Sequence, residues 1–466
     1  MSVSDLPIPV GFRAEILQQV VRLLRSGESC AAVGVGSSGK SNIARHLARA
    51  DVRQEYFGSE SPATLVVYLN CKPFAHRAPH DFYLYALDQM ARALADHVGA
   101  LAQPQTALVE LWQAAQAQPE ALARRNLDLA VGSLVQAGFR HVIVILDDCD
   151  DLFALAPPVL FSDLRGLRDN YKAQVAYLTL TRREPVFLRA DAREYEELFE
   201  LLSAPGHTVP VGPYVETDSL LMLRRLASRQ APPRALGDAE AQRLHTLGGG
   251  HAGLLRALFF ATQYNPSLAA DSLSPDQWVH LADHPDVEAE SRKIWDSLEP
   301  EEQADLAHVA RAEMPTLDGA RRLERRGLMR PRLSGGYEVF SPIFEKFLAR
   351  TVGTLAPDHA QTLPIEFTGI GWQVRIDGTL VLSLVPPEYE ILRCLAAARP
   401  EPCSLLQLIE VMRLAEQTGQ SERVAGDPLR RLEEYLRQLK AKIGPAGHLI
   451  QPAGDGYRLG EPERPA

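Results

Sequence analysis

The chain has 466 residues, too many for one ordinary domain, and three or four are expected from typical domain sizes. A hydrophobic share of 46% and a charged share of 23% are those of ordinary globular domains, and a formal net charge of −10 excludes a surface coated in cations for indiscriminate nucleic-acid binding. The cysteines (Cys30, Cys71, Cys149, Cys394, Cys403) show neither CxxC nor a Cys/His metal spacing, which fits a reducing cytosol better than a disulfide framework.

The first residues lack the basic-then-apolar layout of a signal peptide, and no apolar run reaches the roughly 18 to 20 residues that span a bilayer; a cytoplasmic protein without a membrane partner is expected. Over 1–212, short β-rich apolar runs at 30–35, 64–70, 141–146, 175–181 and 207–211 alternate with helical patterns such as 42–50, 82–98 and 122–137. This alternation predicts an α/β domain with a parallel sheet. Over 213–283 the β runs vanish and a helical domain is expected. Residues 284–352 predict helices at 288–297, 300–311 and 316–326, then strands at 328–333 and 337–340 around Ser334-Gly335-Gly336, a hairpin turn signal. Three helices and a hairpin describe a winged helix. A linker is read at 353–363 from Gly353 and Pro357. In 364–466, strands at 372–376 and 379–384 joined at Asp377-Gly378 precede helices at 387–398, 404–418 and 428–443 and a strand pair around Gly454-Asp455-Gly456.

Gly34-Val-Gly36-Ser37-Ser38-Gly39-Lys40-Ser41 matches GxxxxGK[ST] at every fixed position, between an apolar strand and a helix opening near Asn42. In that setting backbone N–H groups and a helix N-terminus face phosphates, the lysine reaches the β/γ phosphates and the serine hydroxyl ligates Mg²⁺. Val142 to Leu146 is a buried strand pattern ending in Asp147 and Asp148. Asp147 suits a water-mediated Mg²⁺ contact. Asp148 stands either as the general base that polarises an attacking water or as a supporting or helix-capping acid. The apolar run 175–181 ends in Thr181-Arg182-Arg183. A cation there, Arg182 before Arg183, either senses the γ-phosphate or belongs to an ordinary surface pair. Gly248-Gly-Gly-His251 opens a helix, bringing His251 or a backbone amide against the nucleotide, or capping the helix around a packed histidine.

Together with Gly11-Phe12-Arg13-Ala-Glu15, Leu164-Arg-Gly-Leu-Arg168-Asp169 and Gly249-Gly-His251, these motifs resemble the STAND branch of AAA+-like ATPases, near the origin-recognition and NB-ARC types, over residues 8–350. The resemblance implies an α/β P-loop NTPase with sheet order 5-1-4-3-2, a helical lid and a winged helix folded over the nucleotide. It also implies ATP/ADP and Mg²⁺ as cofactors, and a low-turnover switch: a closed monomer with ADP, an open self-associating form with ATP. Phe12 and Arg13 would lie against the adenine, the alternative being core packing and a surface charge. The chain departs from the pattern at Asp148, where relatives often carry Glu, and at Ala252, where they often carry Pro. No arginine finger is clear; Arg165 and Arg168 are the candidates.

Residues 364–466 resemble the winged-helix domain of OmpR-type transcription regulators, through Leu384-Val-Pro-Pro-Glu388-Tyr389-Glu390-Ile-Leu and the ending Gly454-Asp-Gly-Tyr457-Arg458-Leu459. On 428–443, Leu429, Leu432, Leu436, Leu439 and Ile443 recur at helical spacing and are expected to face the core. The other face carries Arg430, Arg431, Arg437, Lys440 and Lys442 against Glu433 and Glu434, a net of +3. With Arg458, Arg430, Arg431, Arg437 and Lys440 are the DNA-contact candidates, and a protein-docking wing is the alternative. Residues 316–332 carry six arginines against Asp318 and Glu324, a net of +4, for DNA or for acids of the ATPase domain. No catalytic triad, zinc site or nuclease-like acidic cluster is seen. The expected function is an ATP-driven switch coupled to DNA binding, most simply in transcription. The alternatives are a signalling or defence switch that docks a protein effector, and a DNA-loading or transposition ATPase.

Overall fold

The apolar runs of the first 212 residues pair side by side in a computed structural model that describes residues 7–97, 102–189, 196–264, 280–311, 313–332, 336–354, 365–367, 374–376, 379–381, 384–398, 402–418, 427–443 and 449–459. β1 (Cys30–Val33), β2 (Thr64–Asn70), β3 (His141–Asp147), β4 (Val175–Thr181) and β5 (Thr208–Pro210) form one sheet in the order β2-β3-β4-β1-β5. Every pairing in it is parallel. All seven residues of β3 and of β4 are buried, as strands covered on both faces must be.

Successive side chains alternate between two apolar layers. Cys30, Ala32, Ile143, Ile145, Leu178 and Leu180 pack with α1 (Ala14–Arg25), α2 (Lys40–Leu47) and α3 (Ala50–Phe57). Ala31, Val33, Val142, Val144, Leu146 and Tyr177 face the other way. They meet α4 (Pro79–Ala95), α5 (Ala102–Ala117), α6 (Pro119–Gln136), α7 (Asp150–Leu155), α8 (Pro158–Asn170) and α9 (Glu196–Ser203). The helix expected over 42–50 is two helices, α2 and α3. Helix α4 starts three residues earlier than the periodicity suggests because Pro79 suits a first helical turn, where its missing N–H costs nothing. Helix α5 was not anticipated.

Next come α10 (Glu216–Ser228), α11 (Asp238–Gly248) and α12 (Ala252–Tyr264), then α13 (Pro285–Asp296), α14 (Pro300–Ala310) and α15 (Leu317–Arg325). An antiparallel pair, β6 (Met329–Pro331) and β7 (Tyr337–Val339), precedes α16 (Pro342–Thr354). The segments separated in the sequence as 213–283 and 284–352 share one apolar core that includes Leu244, Leu255, Phe259, Ile294, Leu323 and Phe344. Pieces of this size bury too little surface alone to be firmly stable. Gly353 and Thr354, read as the start of a linker, instead end α16; the rest of that linker, and Ser334-Gly335, lie outside the described residues.

Two compact units result, Met1–Thr354 and Leu355–Ala466. In the second, β8 (Ile365–Phe367), β9 (Val374–Ile376) and β10 (Thr379–Val381) form an antiparallel sheet, β8 being unanticipated and Asp377-Gly378 outside the described residues. Helices α17 (Pro386–Ala397), α18 (Leu405–Thr418) and α19 (Pro428–Lys442) pack with β11 (Cys403–Ser404), β12 (Ile450–Ala453) and β13 (Gly456–Leu459). Leu432, Leu436, Leu439 and Ile443 are buried, but Leu429 is 38% exposed: in the first turn of α19 the stripe has run past the core. Among the described residues no helix is long and apolar enough to cross a membrane.

Candidate functional site

Because β4 pairs with both β1 and β3, the C-terminal ends of these three strands stand together, and the loop after β1 opens beside Asp147 and Thr181. Ligands of open parallel sheets gather at such an edge. Gly34 lies so close to Val211 and the Ser38 hydroxyl that a Cβ there would overlap both. Gly39 turns the chain into α2 at φ +89°, where a Cβ would strike the Tyr214 hydroxyl. Lys40 Nζ donates to the Gly34 and Val35 carbonyls at 2.6 and 2.9 Å, which holds the cation inside the loop. Burial lowers its pKa to about 8; Asp150 works against the shift and Arg182 adds to it.

The Ser41 hydroxyl donates to Asp147 Oδ1 at 3.1 Å, and the Tyr68 hydroxyl donates to Asp147 Oδ2 at 2.6 Å. A cavity of about 300 Å³ opens here, walled by Ser37 to Asn42, Asp147, Asp148, Arg182, Arg256 and Glu290, with Met222 and Ala252 adding apolar surface. Arg182 Nη2 stands 3.9 Å from Asp148 Oδ1. The Arg182 N–H donates to Asp150 at 2.8 Å, and its carbonyl accepts from Arg326 at 2.9 Å. Asp150, raised in pKa by burial, thus braces the tip of β4.

The non-glycine residues with positive φ among the described residues are Arg13, Ser37 and Asp148, at 57°, 57° and 54°. All three were singled out in the sequence, and strained backbone concentrates at functional sites.

His251 Nε2–H donates to the Gly36 carbonyl at 2.9 Å, and its Nδ1 accepts from Leu254 N–H at 3.3 Å. Burial drops its pKa to about 4, so it is neutral. His251 therefore braces the loop from behind, and Gly253 N–H bonds the Ser37 carbonyl beside it. The region 285–326 also reaches the loop. Gly36 N–H donates to Ser297 Oγ at 2.9 Å, and the Ser297 hydroxyl gives its own proton to Lys293 O at 2.5 Å. Glu290 brings a carboxylate to the cavity wall, with Oε1 on Lys293 and Oε2 buried without a partner among the described residues. Arg183 pairs with Glu299 at 3.1 Å and Arg326 with buried Glu302 at 2.6 Å.

Phe12 and Arg13 are not among the residues lining this cavity. Phe12 is buried edge-on between His46 and Tyr214. The Arg13 guanidinium stacks over Tyr214 and donates to the Gly212 and Pro213 carbonyls at 2.6 and 2.7 Å. These contacts hold Phe12 and Arg13 against Tyr214, which accepts from Asn42 Nδ2 at 3.0 Å, while Arg13 Nε is buried without a partner among the described residues. Arg168, a finger candidate, is 2% exposed and bonded to Gly27 and Glu28, so no second molecule can use it. Arg165 pairs with Asp169 at 2.7 Å.

The arrangement fits a nucleotide phosphate chain with Mg²⁺. Ser38 Oγ and Thr181 Oγ1 are buried at the loop without partners among the described residues, and the start of α2 presents N–H groups. Ser41 and Asp147 offer adjacent hard oxygens, and Mg²⁺ takes one or two carboxylates with phosphate and water for the rest.

In the second unit, Arg431 is drawn into a partly buried pair with Glu416 at 2.7 Å, and Lys442 bonds both oxygens of fully buried Glu388 at 2.7 and 2.8 Å. Glu388 also accepts the Val385 N–H at the start of α17. Arg437 is held by Glu434, and Lys440 lies over the Tyr457 ring at 5.8 Å. Arg430 and Arg458 are exposed. The open face of α19 therefore carries Arg430, Arg437 and Lys440 against Glu433 and Glu434, a net of +1 rather than +3, because Lys442 and Arg431 neutralise buried Glu388 and partly buried Glu416. On α15, Arg322 pairs with Glu301 at 3.1 Å.

Sequence reasoning missed Tyr68, Glu290, Ser297 and Arg256. The Ser297 bond to Gly36 joins residues 261 apart in the chain, a separation no local pattern encodes.

No family model matches the chain, and no curated protein matches it. Solved structures do. The Walker-type ATPase PABY2304 of Pyrococcus abyssi is 13% identical, over 72% of this chain and 95% of its own, at a TM-score of 0.43. The Aeropyrum pernix ORC2 protein in its ADP form is 13% identical, over 76% and 96%, at 0.41. The Aeropyrum pernix ORC1 protein in complex with DNA is 14% identical, over 94% and 85%, at 0.34. At such identities and scores these chains assign no residue role to this one.

Proposed function

We propose that the chain is a low-turnover ATPase switch: it binds ATP or ADP with Mg²⁺ at Gly36–Asn42 and hydrolyses the triphosphate. The observation that carries this is the convergence of Lys40, the Ser41–Asp147 pair, Asp148 and Arg182 on one cavity at the sheet edge. When bound, Mg²⁺ would supply positive charge to offset that of the phosphate oxygens. Ser41 and Asp147 are the residues to hold it. Lys40 and the loop N–H groups bind phosphate oxygens, Asp148 orients water and takes its proton, and Arg182 offsets charge at the γ position.

The switch reading is supported by the Ser297 and Glu290 contacts. An acid at the phosphate cavity opposes the more highly charged triphosphate, so the described arrangement suits the diphosphate. Release of the loop by the 284–352 segment, read as an inner winged helix that shares its core with the 213–283 lid and moves with it, would accompany ATP binding and self-association. The 364–466 unit, read as an OmpR-type winged helix, would then carry the state to DNA through Arg430, Arg437, Lys440 and Arg458, as a transcription regulator. A second reading, docking of a protein effector, is favoured by the reduced +1 face of α19.

Asp148→Asn tests the chemistry: it keeps Mg·ATP binding and lowers turnover by about a hundredfold, the lower scale of general-base effects. Wild-type turnover in that variant would assign the water to another residue.

A further inference from the structure

Asp147 is fixed from two sides. Its Oδ1 faces the Ser41 hydroxyl at 3.1 Å, and its Oδ2 accepts a 2.6 Å hydrogen bond from Tyr68 on the neighbouring strand. The parallel register places Asn70 beside Asp147 and Tyr68 beside Ile145, so the ring lies two residues down the sheet with its hydroxyl reaching the strand tip. The same ring packs in the apolar layer under α2, the helix that follows the loop. At 2.6 Å from a carboxylate oxygen, which only accepts, the phenol O–H is the donor.

We infer that Tyr68 is a positioning residue for the divalent cation: it pins one carboxylate oxygen of Asp147 so that the other stays aimed at the gap beside Ser41. This rests on the nucleotide site proposed above. A carboxylate that is 4% exposed cannot trade a lost donor for bulk water. Without the phenol, Asp147 must turn Oδ2 toward Ser41 or Lys40, and the oxygen geometry offered to the metal degrades. Partners that orient a metal-ligating carboxylate typically cost 10- to 100-fold in metal affinity when removed, about the effect expected here. Tyr68 is not among the residues lining the cavity, so binding of metal-free ATP does not need it.

The test is Tyr68→Phe in the full chain, which keeps the ring and deletes the hydroxyl. ATP binding is titrated by calorimetry in EDTA and again across a Mg²⁺ series, with thermal melting alongside. The expected result is unchanged ATP affinity in EDTA, a melting temperature lowered by no more than a lost buried hydrogen bond accounts for, and a Mg²⁺ half-saturation raised by about 10- to 100-fold. A Mg²⁺ titration that overlays the wild type overturns the inference. So does a joint fall in melting temperature and in EDTA affinity, which would give Tyr68 a purely architectural role. Wild-type protein that binds no ATP, or a Lys40→Ala variant that binds it normally, would overturn the site itself and this inference with it. Normal wild-type binding lost in Lys40→Ala, with Tyr68→Phe unaffected in Mg²⁺, would overturn only the role of Tyr68.

Discussion

His251 ties the helix after the Gly248–Gly250 turn to the phosphate loop through a single proton. Both ring nitrogens are committed, Nε2–H to Gly36 and Nδ1 to Leu254 N–H, which fixes the neutral tautomer. Its pKa of about 4 lies below the unfolded value near 6.5, so the unfolded chain takes up the proton first as pH falls. The stabilisation is fully present above about pH 6.5 and is lost as pH drops toward 4, on the order of 3 kcal/mol at most. Urea unfolding of the wild type should steepen in pH dependence across that window, and His251→Ala should show a shallower slope. Equal slopes would mean that His251 is not neutral in the fold. The GxxxxGK[ST] loop and Asp147-Asp148 were legible in the sequence because their geometry is local: a strand, a tight turn and a helix start within a few residues. The packing of Phe12 and Arg13 against Tyr214 was not legible in the pattern, since Tyr214 lies far downstream in the chain.

At the scale of elements, α13 brings Glu290 to the cavity wall and Lys293 against Gly36, while Ser297, just past its end, occupies the Gly36 N–H. If this contact competes with phosphate, Ser297→Ala combined with Glu290→Gln should tighten ATP binding by about 3- to 10-fold, the scale of one net hydrogen bond plus relief of a like charge, with less effect on ADP. Equal gains for both nucleotides, or none, would remove the case for an electrostatic gate. Helix α19 shows the other limit of sequence reading. Its apolar stripe was legible at Leu432, Leu436 and Leu439, but the charge count was not, because Glu388 and Glu416 come from α17 and α18 and cancel Lys442 and Arg431 from across the core. Should the DNA reading hold, Arg430→Ala with Arg437→Ala flattens the salt dependence of duplex binding by up to about two units, at roughly 0.9 per phosphate contact. Duplex affinity of the whole protein that is indifferent to both changes, measured by anisotropy at low salt, would favour the docked effector.

Across the whole molecule, the alternation of β runs and helices in the first 212 residues was enough to read a parallel α/β sheet, because buried parallel strands are continuous apolar runs. The merging of the 213–283 and 284–352 segments into one core was not legible, since periodicity marks a helix's apolar face without saying which neighbour covers it. Both features converge on the cavity at Gly34–Ser41. The most direct measurement of the central claim is therefore calorimetric titration of ATP and ADP, with Mg²⁺, into the wild type and Lys40→Ala, at pH 7 and pH 9. Lys40 with a pKa of about 8 is charged at the lower pH and largely neutral at the higher, so wild-type affinity should fall with rising pH and binding at pH 9 should take up a proton. The account predicts saturable binding at one site that weakens in this way and is lost in Lys40→Ala; binding of equal strength in wild type and Lys40→Ala at both pH values would contradict it.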